Sequence, residues 1–448
     1  MASIQKTLHK RYTHKERRDM KTVKIGILGL GVVGGGVIDI INRHREKMQK
    51  HAGVDLEVVM GADITTERFE QLGLTPAQST TDAFDVVNNP EVDIVVELIG
   101  GTGIAKDLVM AAIEAGKPVV TANKALLATY GEEIFEAADA KGVDIRFEAS
   151  VGGGIPVLEP LTHALTGNEI SRVMGIVNGT TNYMLTRMTD EGLAFDEVLK
   201  LAQELGYAEA DPTADVDGFD AAAKIAILAS LAFNSRVTLD DVYTEGIRRL
   251  SATDIEYAEE IGYTVKLLGI ANKLEDGIDV RVHPTMIPVD HQLASVNGVY
   301  NAVYLTGDFV GDVMFFGEGA GAGAAASAVV GDLVEAARAY QSGNVVVGCT
   351  CTDQLAIRPM AELESRYCVR LVIQDKSGVI KQLGEVFDHY SVSIKSLKQR
   401  GAVSPGEVEF IFLTHRTKEA DMQAVLADVA KLETVVEVAS MLRVENFE

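Results

Sequence analysis

Five carboxylates crowd the stretch from Glu209 to Asp220: Glu209, Asp211, Asp215, Asp217 and Asp220. The chain then reads AAAKIAILASLAF, an apolar helical run in which Lys224 is the one charge between Asp220 and Phe233. An ammonium set among Ala, Ile and Leu is partly desolvated and gives up a proton more readily than one in water. Asp220 stands four residues earlier on the same helix face and can orient it. Carboxylates gathered round one helix-borne lysine suit a small substrate that carries an amino group. Two blander readings compete. A solvated acidic loop would not explain Lys224, whose neighbours three and four positions away are Ala221, Ile227 and Leu228, with Asp220 the exception. A calcium loop would put Thr213 at its first position and Lys224 at its twelfth, where a bidentate Glu is needed, so calcium is rejected.

Upstream, Val23–Leu28 is a short apolar strand that runs into Gly29-Leu30-Gly31-Val32-Val33-Gly34 and then a helical pattern. A glycine turn between strand and helix brings backbone N–H groups and a helix N-terminus against a pyrophosphate. The next strand, Leu56–Met60, ends at Gly61-Ala62-Asp63. Asp63 can accept from a ribose 2′-hydroxyl, which leans the reading slightly to NAD; Arg68 could swing in to offset its repulsion of a 2′-phosphate. A buried strand lies within EVDIVVELIGG, Ile104–Ala115 is a helix, and the strand from Lys117 ends in Thr121-Ala122-Asn123-Lys124. Ligands of open α/β sheets sit at the carboxyl ends of strands, which places Lys124 where cofactor and substrate meet. In Ile145–Pro156, IRFEASVGGGIP, a strand ends in three glycines. Their carbonyls can hold a monovalent cation with Glu148, and a simple close-approach loop fits equally well. VNGTTNY (Val177–Tyr183) is either a substrate-facing loop or a helix N-cap. Leu193–Leu205 is an amphipathic helix, and Val237–Met314 reads as an open sheet with a helix over Ile255–Ile270. Phe315–Tyr340 is a second glycine-rich approach to a helix.

These elements amount to an α/β protein of several domains. A dinucleotide-binding domain of Rossmann type spans 21–155 and is completed by 319–345. An α+β catalytic and dimerisation domain with an open sheet spans 156–318, and a linker follows over 346–365. Residues 366–448 alternate as strands Tyr367–Ile373, Ser393–Gln399, Glu407–Leu413 and Val435–Val444 with helices Val379–His389 and Glu419–Lys431. That βαββαβ order is ferredoxin-like, a binding or regulatory module expected to be removable without loss of turnover.

The 448 residues are 47% hydrophobic, ample for a core, and contain no apolar run long enough to span a membrane. Residues 1–20 are basic and lack the apolar core of a secretory signal, so they read as a disordered arm. A net charge of −24 argues against nucleic acid as a partner. Three cysteines, Cys349, Cys351 and Cys368, are too few for a disulfide framework and fit a reducing cytoplasm. Cys349 and Cys351 alternate within an expected strand, and all three read as core thiols.

Together GLGVVGGGV, TANK at Thr121–Lys124, EASVGGGIP, NGTTNY at Asn178–Tyr183 and the segment Ala202–Lys224 resemble homoserine dehydrogenase over about Val23–Tyr340; the C-terminal module resembles an ACT domain, with DKSGVI at its turn into helix. The resemblance implies reversible reduction of L-aspartate 4-semialdehyde to L-homoserine with NAD(P)H. By that likeness Lys224 is the acid/base, Asp220 orients it and the substrate, Glu209 binds the substrate amino group and Asp215 shapes the pocket. Lys124 would lie near the nicotinamide. The pyrophosphate would lie over Leu30–Val33, with Gly321 closing the cofactor site. A structural sodium ion would fall on Glu148, Val151, Gly153 and Ile155. The resemblance also implies a homo-oligomer, dimer or tetramer, and feedback by an end-product amino acid, threonine above all. One departure is Ala62, where many family members carry an Arg able to hold a 2′-phosphate. Two rivals carry less. An acylating semialdehyde dehydrogenase needs a nucleophilic Cys in the catalytic region, which is missing. A non-catalytic amino-acid sensor would have no use for Lys124, Glu209, Asp220 and Lys224 together.

Overall fold

Apolar, β-branched runs flanked by glycine turns form the first sheet, which is wholly parallel: β1 (Thr22–Leu28), β2 (Asp55–Ala62), β3 (Ser79–Thr80), β4 (Ile94–Glu97), β5 (Val119–Thr121) and β6 (Ile145–Arg146). Their order across the sheet is β3-β2-β1-β4-β5-β6. This is the doubly wound arrangement, and its order reverses between β1 and β4. Helices Val32–His51 and Ala322–Ser342 cover one face, where Val37, Ile41, Val329 and Leu333 share a core with β1. Helices Ile104–Glu114 and Lys124–Lys141 cover the other, through Leu108, Ile113, Leu126 and Ile134. This computed structural model describes residues 21–343 and 350–445; the basic arm and Cys349 fall outside them. The chain divides into two compact units, Met1–Pro160 with Ala320–Thr352 and Leu161–Gly319 with Asp353–Glu448.

The second unit is built on one long mixed sheet. Its first strands are β7 (Ile170–Ile176), β8 (Tyr243–Thr244), β9 (Tyr263–Leu274), β10 (Gly277–Pro288), β11 (Tyr300–Gly307) and β12 (Gly311–Glu318). The expected helix over Ile255–Ile270 is instead a helix at Ala252–Glu260 followed by β9. A capping box between Ser251 and Asp254 starts that helix, and Gly262, at φ +83°, ends it. Val265 to Ala271 are buried on both faces of the sheet, so the alternation that marks a strand is absent. The expected strand around Cys351 is irregular chain, and that thiol is half-buried, whereas Cys368 is buried; neither is in a disulfide.

The C-terminal segment adds β13 (Glu364–Gln374), β14 (Ile394–Ser404), β15 (Glu407–Thr414), β16 (Thr417–Lys418) and β17 (Val435–Val444). The antiparallel order β17-β13-β15-β14, with helices Val379–His389 and Glu419–Val429 on one face, is the ferredoxin-like arrangement. Its sheet is joined to that of the preceding strands. β17 also pairs with β10, in parallel, so the catalytic and C-terminal strands form one continuous sheet. Arg443, 1% exposed, donates to Glu419 at 2.7 and 2.9 Å and to Glu245 at 2.7 Å. Glu445 accepts from Arg281 and Arg172, both at 2.6 Å. Arg370 of β13 donates to Asp254 at 2.7 Å and to Ser251 at 3.0 Å. Deleting the residues from Tyr367 onward would bare the edge of β10 where it pairs with β17 and leave Arg281, Arg172 and Asp254 without these partners, so the cut is expected to lower stability.

Burial opposes the ionisation of Glu419, yet the bonds from Arg443 hold its carboxyl below the usual range. Arg443→Leu leaves that charge without its partner and is expected to cost about 3–5 kcal/mol in urea unfolding of the full chain. Adding Glu419→Leu should recover most of the loss; equal stability of wild type and Arg443→Leu would contradict the structural role.

Candidate active site

The helix Phe219–Phe233 is buried almost all round and packs on β7, β9 and β10. Its contact with β9 is close: a Cβ added at Gly269 would lie 3.0 Å from the Ile225 Cβ. That packing leaves Lys224 only 9% exposed. Its Nζ donates to Asp220 Oδ2 at 2.7 Å and to the Val177 carbonyl at 2.7 Å. Asp220 Oδ2 also accepts from Asn178 Nδ2 at 2.8 Å, and the same nitrogen reaches Asp215 Oδ1 at 2.7 Å. The structure thus brings Asp215, Asp220 and Lys224 into one network, joined by an Asn that the acidic pattern alone did not single out.

Of the two readings of VNGTTNY, the helix N-cap is the one seen. Asn178 Oδ1 caps the helix Gly179–Glu191, accepting from the Thr181 amide at 2.8 Å, while its Nδ2 faces the two carboxylates. Asn182 donates to the carbonyls of Val296, Gly298 and Tyr300 at 3.0–3.1 Å. Lys266 holds the same turn through the Val296 carbonyl and Asn297 Oδ1, both at 2.7 Å; burial pushes this amine down to about 8, with Asp190 opposing. Glu209 and Asp211 are exposed, and among the described residues the Glu209 side chain makes no bond to the network. Asp217 is paired with Arg248 at 2.5 Å.

In the first unit, the glycine turn sits at the β1 exit beside the switch point. Gly29 holds φ +92°, and a Cβ there would lie 2.7 Å from the Leu98 carbonyl oxygen; one at Gly34 would lie 2.1 Å from the Gly29 oxygen. Side chains at either position would spoil the turn. At Gly31 a Cβ would meet only Arg68, at 3.8 Å, so this face of the turn is open to a phosphate. Leu30 is buried, Val32 exposed and Val33 half-buried. The Leu30 amide donates to Asp63 at 2.8 Å. Gly321, at φ +131°, precedes the helix Ala322–Ser342.

Lys124 is half-buried at the start of its helix, and the residues that set it there were not legible in advance. Glu97 is fully buried at the end of β4 and accepts from the amides of Ile99 and Gly100, at 2.9 and 3.0 Å, and from the Thr121 hydroxyl at 2.7 Å. Thr121 Oγ1 accepts from the Asn123 amide at 3.0 Å. Asn123 in turn donates to the Gly101 carbonyl at 2.7 Å and caps the Lys124 helix through Leu126 at 3.1 Å. The loops after β4 and β5 are thereby tied into one rigid rim.

The loop after β6 fits a cation. Val151 and Ile155 are buried, and Gly152 and Gly153 adopt φ +74° and +59°. Glu148 accepts from the amides of Val157, Leu158 and Glu159 at 2.6–2.9 Å, and its own amide donates to Asp332 at 2.8 Å. Burial raises both carboxyls, Asp332 well above its ordinary range. Two buried carboxyls beside a carbonyl-rich turn favour a positive ion. Among the described residues no group of three or more His, Cys, Asp or Glu side chains could hold a metal, so such an ion would rest on carbonyl oxygens.

Two family profiles match the chain: the homoserine dehydrogenase NAD-binding domain over residues 29–148 and the homoserine dehydrogenase domain over 156–334. A homoserine dehydrogenase from Synechocystis sp. is 48% identical over 94% of this chain and 99% of its own length. The chain belongs to the homoserine dehydrogenase family. One from Bacillus subtilis is 41% identical over 95% of the chain and 99% of its own length. Among solved structures, a homoserine dehydrogenase from Thiobacillus denitrificans superposes with a TM-score of 0.90 at 45% identity, covering 95% of this chain and 99% of that one. A hyperthermophilic archaeal homoserine dehydrogenase in complex with NADPH superposes with a TM-score of 0.61 at 28% identity, covering 70% of this chain and 98% of that one. The protein is accordingly a homoserine dehydrogenase, an NAD(P)-dependent oxidoreductase that interconverts L-aspartate 4-semialdehyde and L-homoserine. No described helix is long and apolar enough to cross a membrane.

Asn178→Asp keeps the cap acceptor but loses the donor to Asp215 and Asp220. It should lower kcat on the order of 100-fold through misplacement of Asp220 and Lys224, and lower thermal stability at neutral pH because a third carboxylate then faces two others. Asn178→Ala should lower both kcat and stability. Wild-type turnover in Asn178→Asp would show that the two carboxylates need no donor between them.

Proposed function

We propose that Lys224 donates the proton that completes reduction of the semialdehyde carbonyl. The observation that carries this role is the use of its N–H groups. An ammonium has three donors, and here two are spent on Asp220 and the Val177 carbonyl. The third remains for a substrate carbonyl oxygen. NAD(P)H, when bound, supplies the hydride. As negative charge grows on the oxygen, Lys224 stabilises it and transfers H⁺, so C=O becomes CH–OH; in the oxidative direction the amine takes the proton back. Asp220 keeps the ammonium aimed. Asp215, fixed by Asn178, shapes the same pocket, and Glu209, exposed and unbonded, receives the substrate amino group. Lys124, set on its rigid rim, serves the reacting end. Leu30–Val33 cradle the pyrophosphate at the N-terminus of the helix Val32–His51, with Gly321 completing the cofactor site. Asp63 sits at the ribose. A structural sodium ion on Glu148, Val151, Gly153 and Ile155 steadies the loop that leads out of the first domain.

Lys224→Ala is expected to lower turnover of aspartate semialdehyde at least ~10³-fold, read at the nicotinamide absorbance band, with cofactor affinity unchanged. Retained turnover in that variant would overturn the assigned role.

We further assign amino-acid feedback, threonine foremost, to the C-terminal lobe. A cavity of about 630 Å³ is lined by Gln423, Leu426 and Ser440 of that lobe and by Asp217, Arg248 and Arg249 of the catalytic part. Arg248 ties this cavity to the acidic loop through Asp217. The exposed Phe309, Met314 and Phe316 along β12 and its approach support self-association as a dimer or tetramer, and cysteines outside any disulfide suit the cytoplasm. Arg249→Ala should abolish inhibition by threonine while leaving uninhibited turnover within about twofold, by initial rates with and without threonine; unchanged sensitivity would place the effector elsewhere.

A further inference from the structure

In a dinucleotide fold, the charge at the exit of the second strand decides between a free ribose 2′-hydroxyl and a 2′-phosphate. Here β2 ends in Ala62, and Asp63 follows. An acid at that place suits the hydroxyl, but both of its oxygens are engaged within the protein. Oδ2 accepts from the Leu30 amide and Oδ1 from the Thr65 amide, each at 2.8 Å. The carboxylate works as a brace between the glycine turn and the β2 exit, and its charge is partly neutralised by those two N–H dipoles.

Five positions on, Arg68 reaches back over the same turn. Its Nη1 donates to the Leu30 carbonyl at 3.1 Å, and a Cβ on Gly31 would meet no atom nearer than that nitrogen. Among the described residues no carboxylate lies within ion-pair distance of this half-buried guanidinium. On the adjoining helix Val32–His51, by contrast, Arg43, Arg45 and Lys50 have carboxylate partners. On a chain of net charge −24, a cation left unpaired at the open face of a phosphate-binding turn, with N–H donors to spare, is placed for an anion.

We infer that Arg68 receives the 2′-phosphate of the cofactor, so that the enzyme prefers NADPH to NADH. The assignment rests on the reading that the pyrophosphate lies over Leu30–Val33. The planar guanidinium can meet the phosphate with two parallel N–H bonds while one N–H of Nη1 keeps hold of Leu30. The lean toward NAD taken from Asp63 alone is thereby reversed.

The test is nicotinamide fluorescence titration of the full chain with NADPH and NADH, with 2′-AMP and 5′-AMP as competitors, for wild type, Arg68→Ala and Gly34→Ala. Wild type should hold NADPH more than ~10-fold tighter than NADH. Arg68→Ala should weaken NADPH and 2′-AMP on the order of 10- to 100-fold and shift NADH and 5′-AMP less than about twofold. Gly34→Ala, which distorts the turn, should weaken both cofactors together. Equal wild-type affinity for the two cofactors, or unchanged NADPH affinity in Arg68→Ala, overturns the role of Arg68. If Gly34→Ala leaves both affinities intact, the pyrophosphate lies elsewhere and the premise itself falls.

Discussion

An ammonium inside an apolar helix is the constraint from which the rest of the second unit can be understood. Taking such a charge out of water is costly unless it is paired and hydrogen-bonded. Lys224 is accommodated by one carboxylate and one carbonyl, and each of those acceptors is fixed by something else. Asp220 lies one helical turn earlier and is steadied by Asn178; the Val177 carbonyl stands at the end of β7, immediately before the capped helix Gly179–Glu191. Because the helix bearing Lys224 is pressed onto Gly269 of β9, the amine has little room to move, as its proposed role at a substrate oxygen requires. Catalytic electrostatics depend on dipoles that are already in place when charge develops, and this packing supplies that condition.

The same sheet that supports Lys224 runs without a break into the C-terminal lobe. Parallel pairing of β10 with β17 and the buried ion pairs of Arg443 and Glu445 make the lobe part of the catalytic sheet's own stability. A ligand that altered the lobe would act on strands only one or two removed from those beneath the Lys224 helix. Such coupling needs no separate relay: packed sheets have few ways to deform, so a shift of β17 must be taken up by β10 or by the loop that holds Arg248 and Asp217.

Features written in local sequence were legible, and those made by long-range contacts were not. The glycine turn, the helix after it, the acidic segment and the ferredoxin-like order of the last eighty residues all follow from spacing within a short window. β9 was misread because Val265 to Ala271 are buried on both sides, which erases the alternation that separates strand from helix. Glu97 looked like the polar end of an apolar strand; its side-chain partner Thr121 lies 24 residues away. Arg443 gave no sign of its role, since Glu245 is 198 residues distant and the parallel pairing that buries it joins two segments with no sequence relation. Asn178 stood in a recognised motif, but only the fold shows that its two amide atoms serve different masters, a helix end and a pair of carboxylates.

Charge sets the remaining problem. A chain with twenty-four more acidic than basic side chains has to bind an anionic dinucleotide, and long-range attraction is unavailable to it. The solution visible in the first unit is short-range. Backbone N–H groups at a helix N-terminus carry fixed partial positive charge that solvent and distant acids screen little at contact distance. One guanidinium kept clear of carboxylates adds a full charge at the turn. The acid that might have spoiled this, Asp63, is turned inward onto two amides, so it stabilises the turn it would otherwise oppose. On the proposed placement of the pyrophosphate, recognition in this unit is decided within a few ångströms of the glycine turn, where the overall charge of the chain has little influence.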